Sequence, residues 1–214
     1  MTTRLLLIRH GETIWNGEGR IQGWSESVLS EQGRIQMARL AERVAAYPVA
    51  AIYASTLKRA LESGQILATR LNLPVIPDQR LREYGLGQLE GLTWADIEAH
   101  YPNLAQQWHA SDRFVPIPGE EGRLVFFERV WSSMMEIVNR HPDATIAIVT
   151  HGGTIAAFLH RLLNLELDRT APFVFDNSSL TIVDYNPSRS RIIRLNDISH
   201  LEDMRENKKV LKEI

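Results

Sequence analysis

Leu5-Leu6-Leu7-Ile8-Arg9-His10-Gly11-Glu12-Thr13 is the stretch on which the reading of this chain turns. Four consecutive apolar residues are what a strand buried on both faces requires, and the run stops abruptly at an arginine, a histidine and a glycine. Polar chemistry therefore sits at the strand's carboxyl end, where the loops of an open parallel sheet splay apart and leave a crevice for ligands. Thr145-Ile146-Ala147-Ile148-Val149-Thr150 repeats the arrangement and delivers His151-Gly152-Gly153-Thr154 ahead of a helix-like segment. If these two strands are neighbours, His10 and His151 face one pocket.

The 214 residues, 44% of them hydrophobic, are enough to bury a large core, and the chain reads as one domain over 1–214. A net charge of −2, from 24 basic and 26 acidic residues, gives no bulk reason to expect nucleic acid or a membrane surface as partner. The absence of cysteine removes disulfides, thiol nucleophiles and thiolate metal sites, and it fits a reducing compartment. The first apolar run is too short for a signal peptide or a membrane span, so a cytoplasmic protein is the expectation.

Thr13 to Leu29 reads as a long loop over the strand ends. Ser30 is placed to cap a helix from Glu31 to about Ala46, whose Met37, Leu40, Ala41 and Val44 form one apolar face. Pro48 ends it, Ala50 to Ala54 is the next strand, and Leu57-Lys58-Arg59-Ala60 opens a helix to about Leu71. Arg59 thus falls in a first turn, where the helix N-terminus already favours anions. Leu73 to Pro77 is a short strand leading to Leu81-Arg82-Glu83-Tyr84-Gly85.

The pattern is irregular over about 86–122, which reads either as a lid-like insertion or as a structural subdomain with buried tryptophans. The helical period returns from Leu124 to Arg140, and the stripe of Phe127, Val130, Trp131, Met134 and Val138 is a packing face. Ser179 to Tyr185 and Arg191 to Leu195 predict a hairpin at a sheet edge. The charged segment from about 198 to 214 reads as a solvated helix or frayed tail. The βαβα order predicts a three-layer α/β/α fold with a mostly parallel sheet.

Arg9, His10, Arg59, Glu83 and His151 are the polar residues at the predicted strand ends. Two arginines suit a phosphoryl group, because each planar guanidinium makes paired hydrogen bonds to a tetrahedral oxyanion. A neutral histidine there can attack phosphorus, and a nearby carboxyl can protonate the leaving oxygen. Zinc on two histidines and a glutamate is the rival chemistry; adjacent guanidinium charges oppose a dication, so no metal and no cofactor is expected.

Leu7-Ile8-Arg9-His10-Gly11-Glu12-Thr13 with Asn16, Ser55-Thr56-Leu57-Lys58-Arg59-Ala60, Leu81-Arg82-Glu83 with Gly91, and Val149-Thr150-His151-Gly152-Gly153 together resemble the histidine phosphatase superfamily in its phosphoglycerate-mutase-like branch. The resemblance implies that His10 becomes a phosphohistidine, that Arg9, Arg59 and His151 hold the phosphoryl oxygens, and that Glu83 is the proton donor. It also implies that Asn16, Gln22, Gly23 and the Gly152 amide contact phosphate or substrate.

That branch contains both phosphatases and mutases. Mutases resemble one another after the proton-donor glutamate in carrying an arginine, a tyrosine and a lysine where this chain has Tyr84, Leu86 and Trp94. The insertion here is short and ends in Pro118-Gly119-Glu120-Glu121-Gly122, similar to a phosphatase Pro-Gly-Gly-Glu-Ser pattern except at Gly122. The expectation is a broad-specificity phosphatase acting on a small phosphorylated metabolite. A cofactor-dependent phosphoglycerate mutase is the alternative, and a non-catalytic phospho-ligand scaffold is a second. Members of the family are often dimers, so a homodimer is possible. Trp15, Trp24, Trp94 and Trp108 lie in loops that either border the crevice or are simply stapled down by these rings; if two of them reach the crevice, a partly apolar or aromatic leaving group is expected.

Overall fold

The computed structural model describes residues 1–110, 113–170 and 172–204. Its centre is a six-stranded sheet in the order β3-β2-β4-β1-β5-β6. The strands are β1 Thr3–Arg9, β2 Val49–Ser55, β3 Val75–Asp78, β4 Thr145–Thr150, β5 Leu180–Tyr185 and β6 Arg191–Asp197. The first four lie parallel, and β5 and β6 join antiparallel. The predicted hairpin is present, although only β6 is at the edge, because β5 pairs directly with β1.

Alternation along the central strands sorts their side chains into two cores. Leu5, Leu7, Ile146 and Ile148 face one way. They pack against α6 (Arg123–Arg140) and α7 (Gly152–Leu162). Leu6, Ile8, Ala147 and Val149 face the other way, against α2 (Glu31–Val44) and α3 (Lys58–Leu71). All eight are fully buried, which is why both runs are apolar without interruption. Each fully buried leucine or isoleucine adds roughly 2 kcal/mol. Ser30 caps α2 as expected, its hydroxyl accepting from the Gly33 amide at 3.0 Å. Gly33 and Gly11 let the β1 exit loop lie directly on α2, since a Cβ on Gly33 would stand 2.0 Å from the Glu12 carbonyl oxygen.

The loop after β1 is less irregular than its composition suggests. It contains a single turn, α1 (Ile14–Gly17), closed by a reciprocal capping box between Thr13 and Asn16. Four residues are too few for an apolar period to register. The 86–122 insertion holds α4 (Trp94–His100) and α5 (Pro102–Ala110), and these build a small core of their own from Leu89, Ile97, Ala105 and Ile117. Trp94 and Trp108 stack on each other there, 5.9 Å between ring centres, so these two tryptophans staple the insertion.

The stretch expected as a solvated tail begins differently. Arg43 of α2 donates to Asp197 at 2.9 Å and to Ser199 at 2.7 Å, and Leu201 is buried. Charge density in the sequence concealed a partner on another element. Residues 205–214 of that stretch lie outside the described residues.

Candidate active site

Register places the two histidines. Arg9 pairs with Thr150 across β1 and β4, so His10 and His151 leave the sheet at the same level, with ring centres 5.2 Å apart. His10 is 3% exposed and His151 is fully buried.

The Nδ1 of His10 lies 2.8 Å from the Gly11 carbonyl oxygen. A carbonyl only accepts, so Nδ1 carries the hydrogen and Nε2 carries the lone pair. Burial, and then the charges of Arg59 and Arg9, push the His10 pKa well below the ordinary histidine value. His10 is therefore a neutral imidazole with the lone pair of Nε2 free. His151 is held differently, with Nε2 2.8 Å from the Ser55 hydroxyl. That hydroxyl already accepts from the Leu57 amide, so its own hydrogen is available to His151 Nε2. His151 Nδ1 is buried with no protein partner.

Arg59 reads in isolation as an exposed helix residue, yet it is 1% exposed at the second position of α3. Its Nη1 and Nη2 donate to the carbonyls of Ser25 and Gly23 at 3.0 and 2.7 Å, while its Nε is buried without a partner. Burial brings its pKa down to about 10. Gly23 delivers its carbonyl from a left-handed conformation, φ +53°, where a Cβ would collide with the Glu90 carboxylate. Arg9 donates to the Phe175 carbonyl, and its Nε is again buried and unpartnered. A Cβ on Gly152, the first residue of α7, would lie 3.7 Å from that Nε.

Glu83 stands beside this group. Its two carboxylate oxygens accept the amides of Tyr84 at 2.8 Å and Gly153 at 2.9 Å. Gln22 is buried with Oε1 unpartnered. Asn16 is engaged in the fold, its Oδ1 accepting from the Thr13 amide and from Asn177 Nδ2, both at 3.1 Å. Trp24 donates its indole hydrogen to the Glu83 carbonyl at 2.7 Å, so one of the four expected tryptophans touches the loop that carries the acid.

Arg129 escaped the sequence reading. From α6 it donates to the carbonyls of Arg80, Arg82 and Glu83 at 2.7, 2.8 and 2.7 Å, and to Glu121 at 2.7 Å. It positions Glu83 through the backbone, and Glu121 holds it in turn. An arginine between apolar helix positions carries no sequence mark of such a contact.

Residues 5–198 match the family model described as histidine phosphatase superfamily, branch 1. The chain belongs to the histidine phosphatase superfamily. Among its relatives, phosphoserine phosphatase 1 of Hydrogenobacter thermophilus is 31% identical, over 92% of this chain and 94% of that one. A metal-independent phosphoserine phosphatase of Arabidopsis thaliana is 32% identical, over 94% and 84%. The structure of a mycobacterial glucosyl-3-phosphoglycerate phosphatase complexed with VO3 superposes with a TM-score of 0.82 at 34% identity, covering 90% of this chain and 98% of that one. Among the described residues of this superfamily member, no three His, Cys, Asp or Glu side chains are grouped to hold a metal, and no helix is long and apolar enough to cross a membrane.

The buried histidines set an acid limit on stability. Burial lowers the pKa values of His10, His151 and His160, and brings that of His200 to about 4. As pH falls through about 6.5, the unfolded chain takes up protons that the folded state refuses. Stability present above pH 6.5 is therefore lost on acidification, by about 1.4 kcal/mol per pH unit for each of the buried His10 and His151 until the folded pKa is reached, and by less for the half-buried His200. Urea midpoints at pH 7.5, 6.5 and 5.5 are expected to fall progressively; a constant midpoint would contradict neutral buried imidazoles.

Proposed function

We propose that this chain is a metal-independent phosphomonoesterase that carries the phosphoryl group on His10. The observation that carries the reading is the set of buried, unpartnered nitrogens around a neutral imidazole: Arg9 Nε, Arg59 Nε and His151 Nδ1, the last of which holds the proton in this reading. Buried polar groups are rarely left without partners, and three donors around a nucleophile suit the oxygens of a tetrahedral phosphoryl group. His10 Nε2 attacks phosphorus, the bond to the leaving oxygen breaks, and Glu83 hands that oxygen a proton. Water then attacks the phosphorus–nitrogen bond, gives its proton to Glu83 and restores His10. Gln22, Gly23 and Gly152 border the phosphoryl position, while Asn16 secures the loop that carries His10 through Asn177. The substrate in this reading is a small phosphorylated metabolite, and the cysteine-free composition favours a cytoplasmic setting.

Hydrolysis is favoured over transfer because Tyr84, Leu86 and Trp94 supply no cation for the carboxylate of a glycerate. The test is the fate of phosphate when the pure protein, in excess chelator, meets p-nitrophenyl phosphate and 3-phosphoglycerate. Release of free phosphate from p-nitrophenyl phosphate is expected, with 3-phosphoglycerate the slower substrate and no 2-phosphoglycerate formed. Conversion of 3-phosphoglycerate to 2-phosphoglycerate with little free phosphate would overturn the reading in favour of a mutase.

A further inference from the structure

A cavity of about 260 Å³ lies next to Glu83, between α6 and α7, and no step described above uses it. Its walls are aromatic: Tyr84, Phe114, Phe126 and Phe127. Two of its lining residues are also the two that hold the acid, since Tyr84 and Gly153 give their amides to the Glu83 carboxylate. The cavity thus borders the carboxyl that must reach the leaving oxygen.

Its shape is held in advance. The Arg123 guanidinium lies 4.7 Å from the Phe114 ring centre and 5.0 Å from that of Phe127, and it donates to the carbonyls of Leu167 and Arg169. Arg123 thereby spaces the two phenyl rings and keeps them from closing on each other. An apolar cavity of about 150 Å³ suffices for a benzene ring.

We propose that this cavity is the leaving-group subsite, and that the preferred substrate is the phosphate monoester of an alcohol bearing an aromatic or branched apolar group. The proposal rests on the phosphatase reading and deepens it. Phe114 and Ala156 determine the specificity: Phe114 supplies a wall, and Ala156 of α7 leaves the space open. A site built this way favours apolar bulk by burying it against fixed aromatic faces.

The experiment compares kcat/KM for 2-phenylethyl phosphate and ethyl phosphate, two alkyl esters, in the unaltered protein, Ala156→Phe and Phe114→Ala. The unaltered protein is expected to prefer the phenylethyl ester at least tenfold. Ala156→Phe, which fills the cavity, is expected to reduce that ratio at least tenfold, mainly through KM, and Phe114→Ala is expected to reduce it severalfold. Should Ala156→Phe fail to fold, Phe114→Ala, at a half-buried position, still reads the ratio. Hydrolysis of both esters with no preference, or a ratio untouched by the folded variants, overturns the subsite and leaves the phosphatase reading standing. Absence of phosphate release from either ester takes down both.

Discussion

His10→Ala is expected to reduce phosphate release by on the order of 10⁵ or more, because it removes the atom that forms the bond to phosphorus. The geometry says which histidine to remove. Gly11 holds the Nδ1 hydrogen of His10 and leaves Nε2 free, whereas Nε2 of His151 is occupied by Ser55. Two rings 5.2 Å apart make the distinction testable. Protein quenched in alkali during turnover of a ³²P-labelled ester should carry an acid-labile, base-stable label, as expected of a phosphoramidate, and His10→Ala should carry none. Inorganic phosphate should still raise the thermal midpoint of His10→Ala, since Arg9, Arg59 and His151 remain. A label that survives in His10→Ala and disappears in His151→Ala would reverse the assignment.

Replacement of Glu83 should divide substrates by their leaving groups. A poor leaving group such as an alkoxide needs its proton in the transition state, so Glu83→Ala should lower kcat for an alkyl monoester by about 10²–10⁴. Nitrophenolate departs without a proton, and p-nitrophenyl phosphate should lose less than about tenfold. Glu83→Gln should show the same split, although one of the two amides now held by the carboxylate, of Tyr84 or Gly153, then faces another donor. Equal losses on both esters would mean that Glu83 orders the pocket and donates no proton.

The parts of the fold most legible in the sequence are those where local pattern and tertiary demand coincide. Ser30 with the apolar face of α2 is one case, and the uninterrupted runs of β1 and β4 are another, because a strand covered on both faces admits no polar residue. The short turn α1 was illegible, being a single turn held by its own cap. The docking of Asp197 and Leu201 was illegible because the partner of Asp197 is Arg43, more than 150 residues away. For Trp94 and Trp108 the sequence leaves two readings open, because a tryptophan in an irregular stretch looks the same whether it lines a site or staples a loop; the structure stacks the two on each other.

For the site, the sequence by itself determined the residue types and the level at which they emerge. A parallel strand pair that ends in Arg9-His10 and His151 must present those groups together if the strands are adjacent, and a motif chain with Arg59 and Glu83 names the chemistry. Only the tertiary structure decided that β1 and β4 are adjacent, that His10 is the ring whose Nε2 is left free, that Arg129 carries the backbone of Glu83, and that Tyr84 and Phe114 line a cavity beside Glu83. The physical reason is range. Strand propensity and capping act between residues a few positions apart, whereas the hydrogen bond from Arg129 to Glu83 and the burial that keeps His10 neutral join groups distant along the chain, and they exist only once the chain has folded.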